Sequence, residues 1–206
     1  MLDPKQVYAA LSVHNTPTAE WLAEKGALDI DITHQTLPLL RKIAIKAICQ
    51  GSKIIMDHLL EIGMNMDWRD DKGFHPLHYA VLCDDRVEMA NLLLDSGVPS
   101  TVMYKQKSCL HMACQKKCPK VVKRLLTLGL DPLLPNSIGL SPLEWSVSLR
   151  DHKVTSLILD YIRDNNPAQL NRAARLAYNQ ALLHSSTIAM SILNQHRNCG
   201  VTITDQ

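Results

Sequence analysis

The stretch "GFHPLHYA", residues 73–80, decides how this chain folds. Its Leu, His and Ala recur 33 positions later in "SCLHMA", residues 108–113. A further step of 33 reaches "LSPLEWS", residues 140–146, which keeps the Pro and the Leu and has Glu144 in place of the histidine. A fixed period of this length is typical of proteins in which one supersecondary unit is repeated. The sequence therefore predicts an array of such units.

Each copy of the unit predicts two helices joined by a turn. Pro76 suits the first turn of a helix, because its fixed φ is helical and its missing N–H is not needed there. In the second helix, Met89, Leu92 and Leu93 fall on one face at i, i+3 and i+4. Gly97 then suits the left-handed conformation that often ends a helix. The unit is therefore predicted to run helix, turn, helix, loop.

The motif, the period and the closing glycine together resemble the ankyrin repeat, whose consensus contains Thr-Pro-Leu-His. The resemblance covers residues 71–162 clearly and the flanks more weakly. It implies an all-α fold, a solenoid of stacked helix–turn–helix units with loop fingertips. In this family the Thr and the His of the motif satisfy backbone groups at the start of the helix, which would make Ser108 and His111 such a pair. His75 replaces the Thr in the preceding repeat, which leaves the capping of that helix open.

The repeats predict one domain over residues 1–206. Its parts are residues 1–36, an N-terminal degenerate repeat or cap; 37–69, a degenerate repeat; 70–102, 103–135 and 136–166, three repeats; and 167–206, a C-terminal helical cap with two more helices. One extra residue near positions 84–86 predicts a bulged turn between the helices of its repeat. Ile162 stands where the closing glycine of the last repeat is expected.

Composition narrows the class of protein. Of the 206 residues, 46% are hydrophobic and only 4% are aromatic, which favours an aliphatic helical core. A net charge of +2 provides no overall field for nucleic acid or an anionic membrane. Asp3 and Lys5 interrupt any apolar start, and no later run has the length of a membrane span, so we expect no membrane insertion. Six cysteines, most of them within helical patterns, fit a reducing compartment, and we expect an intracellular protein, cytoplasmic rather than nuclear.

Two chemical readings compete with the packing roles of the motif residues. Cys109, His111, Cys114 and Cys118 are close in sequence, but their spacing fits no common structural zinc pattern. We therefore expect no metal and no cofactor. The basic run at residues 116–124 is read as a solvated turn and helix face rather than an import signal, since valines in its middle belong to the core.

Function is inferred from the family resemblance, which implies a non-enzymatic scaffold, an adaptor or inhibitor, that binds a protein or peptide on a concave surface of fingertips and first helices. No nucleophile, phosphate-loop or metalloprotease motif is present in the sequence. Two alternatives stay open: an enzyme or enzyme subunit whose activity involves residues 167–206, and a nucleic-acid binder. The identity of the partner and the oligomeric state are not predicted by the sequence.

The family also implies contact residues beside each repeat's glycine and at the end of each first helix. Transferred repeat by repeat, these are Arg41 and Gln50, with Trp68 on the connecting finger; Lys72, Phe74, Leu82 and Cys83; Lys105, Lys107, Gln115, Lys116 and Lys117; and Ile138, Leu140, Ser148 and Leu149. They predict a central basic patch with exposed apolar residues on both sides, Phe74 among them. Such a surface fits an acidic partner segment that carries apolar anchors.

Overall fold

The computed structural model describes residues 2–83 and 87–184 of the chain. The bulged turn expected at residues 84–86 lies outside the described residues, as does the part of the C-terminal cap beyond residue 184 in which a second helix is expected. The chain divides into two compact units, Met1–Pro99 and Ser100–Gln206, and each unit is described by itself. The division falls close to the predicted boundary between the repeats 70–102 and 103–135.

Unit 1 consists of paired helices. The helices are α1 (Pro4–Ser12), α2 (Thr16–Leu22, continued by a π-helical turn at Ala23–Ala27), α3 (Leu37–Gln50), α4 (Lys53–Glu61), α5 (Pro76–Leu82) and α6 (Val87–Asp95). Helices α1 and α2 pair, as do α3 with α4 and α5 with α6, and the first helices pack in the order α1, α3, α5. The core between them is aliphatic, with Leu40, Ile48, Ile55, Leu77 and Leu93 fully buried. Each such side chain contributes about 1.5–3 kcal/mol on leaving water.

Unit 2 begins with a short antiparallel hairpin and continues with helices. Its elements are β1 (Met103–Tyr104), β2 (Lys107–Ser108), α7 (Cys109–Gln115), α8 (Pro119–Thr127), α9 (Pro142–Ser148), α10 (His152–Asn165) and, after a 3-10 turn at Pro167–Gln169, α11 (Leu170–Leu183). Helix α7 packs on α8 and α9, α8 packs on α10, and α11 packs on α9 and α10. The predicted all-α class is confirmed, since the strands are only two residues long.

The first helix of each motif repeat begins with a capping box, in which the N-cap side chain and the third helical residue satisfy each other's backbone N–H. Ser108 and His111 form the predicted pair. His75 takes over the role of the missing Thr, because its Nδ1 accepts a hydrogen bond from Leu77 N at 3.1 Å and its own N–H donates to His78 Nδ1 at 3.0 Å. An imidazole nitrogen can thus cap a helix where a hydroxyl is expected.

The degenerate repeat 37–69 differs from its prediction at its start. Helix α3 has 14 residues, whereas α5 has 7, and it covers the positions at which the neighbouring repeats have a loop. Leu40 lies one turn before Ile43 and Ala44 on the buried face, so the apolar stripe begins a turn early and the helix follows it. Gly51, with φ 75°, ends the helix in the left-handed conformation. This repeat therefore has a longer helix in place of a fingertip.

Helix α10 is also 14 residues long. Ile162 stands at the position of the closing glycine, and it is buried within the helix rather than ending it. None of the described helices combines the length and the apolar composition needed to cross a membrane.

Candidate functional site

The loop before α5 in unit 1 and the loop before α9 in unit 2 have the same geometry, and we call these loops fingers. Asp70 Oδ1 accepts hydrogen bonds from Lys72 N at 2.9 Å and Phe74 N at 2.8 Å. Asn136 Oδ1 accepts in the same way from Ile138 N at 3.0 Å and Leu140 N at 3.2 Å. Short polar side chains that bond their own backbone in this manner hold a turn in one conformation. The fingers are therefore fixed before any partner binds.

Asp70 has an additional partner in the Tyr79 hydroxyl, which donates to its Oδ2. Burial raises the pKa of Asp70, but the hydrogen bonds from Tyr79, Phe74 and Lys72 outweigh it, and the pKa lies below its ordinary value of 3.8. Asp70 is therefore ionised at neutral pH and serves as an acceptor for the finger.

The loop before α7, at the start of unit 2, is the hairpin between β1 and β2, and we call it a finger as well. Its two turn residues, Lys105 and Gln106, have φ 48° and 59°. Gln106 occupies the position at which the other motif repeats have Gly73 and Gly139, and residues with a Cβ pay about 1–2 kcal/mol for this conformation. The turn nevertheless keeps the hairpin register, with Tyr104 opposite Lys107.

His111 connects α7 to the finger that follows it in unit 2. Its Nδ1 lies 2.8 Å from Ser108 Oγ and 3.3 Å from Ser108 N, and its Nε2 lies 3.0 Å from Leu140 O. Because Ser108 N–H needs an acceptor, the ring proton is assigned to Nε2, which donates to Leu140. Burial lowers the pKa of His111 below its ordinary 6.5, the bond to Leu140 opposes this, and the charge of Lys107 adds to the lowering. His111 is therefore a neutral structural link.

Beside this link, two lysines lie over aromatic rings. Lys107 Nζ is 4.6 Å from the centre of the Trp145 ring, and Lys105 Nζ is 5.3 Å from that of Tyr104. Ile138, on the next finger, is 66% exposed. We call Lys105, Lys107, Ile138 and Trp145 the lysine–tryptophan surface. Sequence reasoning missed Trp145, although it stands in register with Tyr79 on the exposed side of a first helix.

The remaining expected contact residues of unit 2 lie at the ends of α7 and α9 and on the second finger. Gln115, Lys116 and Lys117 are exposed, and Leu140, Ser148 and Leu149 are half-buried. Ser148 has an intramolecular role, because its hydroxyl donates to Glu144 O at 2.9 Å and accepts from Gln180 Nε2 at 2.7 Å. Leu140 is less exposed than predicted, since its N–H donates to Asn136 Oδ1 and its carbonyl accepts from His111 Nε2.

In unit 1 the structure corrects several expectations about single residues. Phe74 is half-buried rather than exposed, because its ring lies 5.4 Å from that of Tyr79. Gln50 joins α3 to α1 and α2, with Nε2 donating to Leu11 O at 2.6 Å and Oε1 accepting from Thr16 Oγ1 at 2.8 Å. Lys72 is exposed at a fingertip, and Leu82 and Cys83 are half-buried at the end of α5.

Arg41 and Trp68 also differ from their predicted positions. Arg41 lies within α3 rather than on a fingertip, and Trp68 is buried, with 7% of its surface exposed. The two are nevertheless neighbours, since the Arg41 guanidinium lies 5.3 Å from the centre of the Trp68 ring. The buried Trp68 ring is therefore in cation–π contact with Arg41.

The cysteine and histidine cluster of α7 is part of the helical core. Cys109 and Cys114 are buried, and Cys109 Sγ lies 3.6 Å from Val102 O. Burial raises the pKa of Cys114 far above its ordinary range, which keeps it a protonated thiol. Within residues 2–83 and 87–184, no three His, Cys, Asp or Glu side chains are grouped to bind a metal ion.

Comparison with known proteins places these repeats in a family. A model of three ankyrin repeats matches residues 7–104, and a model of a single ankyrin repeat matches residues 105–137. The NAD-dependent deacetylase sir2B of Dictyostelium discoideum is 27% identical over 142 residues, covering 62% of this chain and 18% of its own length. Inversin of Homo sapiens is 26% identical over 137 residues, covering 66% of this chain and 13% of its own. An ankyrin repeat protein of fowlpox virus (strain NVSL) is 29% identical over 113 residues, covering 55% of this chain and 79% of its own.

The chain thus spans less than a fifth of the deacetylase and of inversin. Its own repetition continues past the matched residues, because Ser141 and Glu144 form the capping box of one more repeat. The family models cover more than half of the chain and agree with the period, the capping boxes and the paired helices, and the chain therefore belongs to the ankyrin repeat family.

Proposed function

We propose that this protein is a non-catalytic interaction module whose lysine–tryptophan surface binds an acidic segment of a partner protein that carries an apolar anchor. Ankyrin repeats and the similar ankyrin repeat proteins support a protein-interaction scaffold in general. The finer assignment, to one surface and one chemistry of partner, rests on the geometry of unit 2.

The position of Lys107 over Trp145 is the observation that carries the proposal. The two lysines of this surface form no ion pair with any side chain in residues 2–83 and 87–184. The Lys107 ammonium lies 4.6 Å from the centre of the Trp145 ring, and this contact restricts the lysine side chain before any partner binds. A carboxylate that meets an already positioned cation loses less entropy on binding than one that meets a freely moving lysine.

Ile138 supplies the apolar part of the surface. It is 66% exposed on a finger whose backbone is fixed by Asn136. A large aliphatic side chain at a rigid tip gains about 25 cal/mol for each Å² that a partner covers. Charged contacts at such a surface mainly steer association, while the covered apolar side chain holds the complex together.

The alternative of an activity in the C-terminal segment is not favoured by its described part. Helix α11 buries Ala173, Ala174, Ala177 and Ala181 against its neighbours, which is the packing of a cap on the last repeat. A nucleic-acid partner remains an outcome of the test below, because phosphates also bind lysine.

The test is a peptide array of 15-residue segments in which acidic content and one aliphatic or aromatic anchor are varied independently. Bound peptides are expected to need both features. The variant Lys105→Glu with Lys107→Glu should slow association about tenfold and flatten its salt dependence, and Ile138→Ala should speed dissociation with the association rate unchanged. Lys153→Gln, which removes an exposed charge on α10, is the matched control and should bind as the wild type does.

Binding of neutral and acidic peptides alike, or equal binding by Lys153→Gln and the double Lys variant, would refute the proposed surface. A nucleic-acid function would appear instead as binding of a single-stranded oligonucleotide with a steep dependence on salt concentration.

A further inference from the structure

A second charged site lies in unit 1, at a pocket between α3 and the loop that leads to α5. We infer that this pocket, which we call the arginine pocket, receives the side-chain carboxylate of a glutamate or aspartate from a protein partner. The inference rests on the proposed interaction function in that the carboxylate comes from a protein, and it involves residues of unit 1 alone.

The arginine pocket has a volume of about 280 Å³, several times the roughly 30 Å³ that one water molecule occupies in the liquid. Its lining combines apolar residues, polar residues and the Arg41–Trp68 pair: Ile32, Leu37, Gly63, Asn65 and Asp67, with Arg41 and Trp68. The apolar residues can pack against the methylenes of an incoming side chain, while the guanidinium meets its end group. The pocket therefore suits a short side chain with a polar tip.

Two hydrogen-bond donors at this pocket lack an acceptor. Trp68 is 7% exposed, and its Nε1 is buried without a partner; Arg41 Nε is buried and unpaired as well. Arg41 forms no ion pair with any residue in the described part of the chain. Leaving a buried donor unsatisfied costs about 1–3 kcal/mol, and more when the group is charged. An acceptor that enters the pocket removes part of this cost, and a carboxylate does so while also neutralising Arg41.

The guanidinium is held in place for such an acceptor. Trp68 lies under it at 5.3 Å, a distance at which the ring attracts a cation. A planar guanidinium carries N–H groups along its edges that match the two oxygens of a carboxylate, and contact with the ring restricts its movement. This geometry favours a carboxylate over a neutral amide, which brings a single oxygen and no charge.

Asp67 also lines the arginine pocket, and its negative charge opposes the binding of a carboxylate there, which provides a control. Its side chain is 60% exposed, and its Oδ1 lies 3.3 Å from His75 Nε2. The negative charge repels an incoming carboxylate, so removing it must tighten the binding of an acid. It would weaken the binding of a cation or of an amide that donates to Asp67.

The experiment is an NMR titration of the full chain with two small probes, N-acetyl-glutamate methylamide and N-acetyl-glutamine methylamide. The chain has three tryptophans, so three indole N–H signals are followed, and the Trp68 signal is identified with Trp68→Phe. The glutamate probe should shift the Trp68 indole and the Arg41 Nε–H signals in a saturable way, whereas the glutamine probe should leave both in place.

The variants then separate the contributions. Arg41→Gln should weaken the glutamate probe about tenfold or more, the scale of one charge-assisted hydrogen bond. Lys42→Gln removes a neighbouring exposed charge on the same helix and should leave the titration unchanged. Asp67→Asn should tighten the probe severalfold, and this variant keeps the inference testable if Arg41→Gln does not fold.

Equal shifts with both probes, no shift at Trp68, or a weaker titration in Asp67→Asn would each overturn the inference. None of these results bears on the lysine–tryptophan surface, because they are read at the Trp68 indole and Arg41 Nε–H signals, whereas the peptide array reports on Ile138 and the two lysines. A failure of the arginine pocket is therefore distinguishable from a failure of the proposed function.

Discussion

Replacing His111 with alanine tests the link between α7 and the finger that follows it. The side chain is 1% exposed and bonds Leu140 O and Ser108 through its two ring nitrogens. In His111→Ala, Ser108 N loses its acceptor, at about 1–3 kcal/mol for a buried group left unsatisfied. Leu140 O loses one of its two donors, at about 1 kcal/mol, and keeps the bond from Asn136 N at 2.9 Å. The Ser108 hydroxyl still caps the backbone N–H of residue 111, so the helix start is only partly lost. We expect the free energy of unfolding to fall by about 2–4 kcal/mol.

The measurement is equilibrium unfolding in urea, followed by helical circular dichroism. The slope of the transition must stay that of the wild type, because a changed slope means that the two chains do not unfold as the same cooperative unit. His34→Ala is the control: His34 is exposed, and its loss should change the free energy by no more than about 0.5 kcal/mol. A loss below about 1 kcal/mol in His111→Ala, at an unchanged slope, would refute the structural role assigned to this histidine.

Three further predictions concern stability. Burial lowers the pKa of His75, with Asp67 opposing it, and also lowers that of His111, so both fall below the 6.5 expected in the unfolded chain. Below that pH, unfolding therefore takes up protons at both histidines. Their contribution to the free energy of unfolding should be complete above pH 6.5 and should decrease as the pH falls below it. A free energy of unfolding that rises between pH 6.5 and 5 on acidification would contradict this. Gln106→Gly should stabilise the chain by about 1 kcal/mol in urea unfolding, because glycine adopts φ 59° without steric cost, and a destabilised variant would show that the turn is not strained. Leu110→Ala should cost about 2–5 kcal/mol, since Leu110 is fully buried, and a loss under about 1 kcal/mol would place it outside the core.

The repeats themselves could be predicted because their signals are local. The 33-residue period, the prolines at the helix starts and the residues of each capping box are all visible in the sequence. The start of α3 was missed because it depends on the competition between a loop and one more helical turn. Leu40 at the beginning of the buried stripe was the available signal. Gln106 was unremarkable in the sequence, and only the hairpin reveals that it adopts the conformation of the missing glycine.

The candidate sites were less predictable, because they depend on contacts between distant segments. Register alone brought Arg41 and Trp68 into the set of expected contacts, but not their stacking, which joins a helix to a loop 27 positions later. The period also cannot reveal that Phe74 packs on Tyr79 or that Gln50 is used between helices. Only the position of Lys107 over its ring identifies Trp145 as part of a candidate site.

The change from histidine to glutamate in the motif has a consequence for how this array can grow. His111 caps its own helix and still has an N–H for the next finger, whereas Glu144 accepts from Ser141 and has no donor to offer. The 3-10 turn at Pro167–Gln169 leads directly into α11, so no finger lies between α10 and α11 to accept such a bond. After a tandem gene duplication of residues 136–166, Glu144 would precede another finger and could not donate a hydrogen bond to it. A duplication of residues 103–135 would instead copy His111, which can donate that bond. Lengthening by recombination is therefore expected to be tolerated in the middle of the array and to be costly at its end, unless Glu144→His accompanies it.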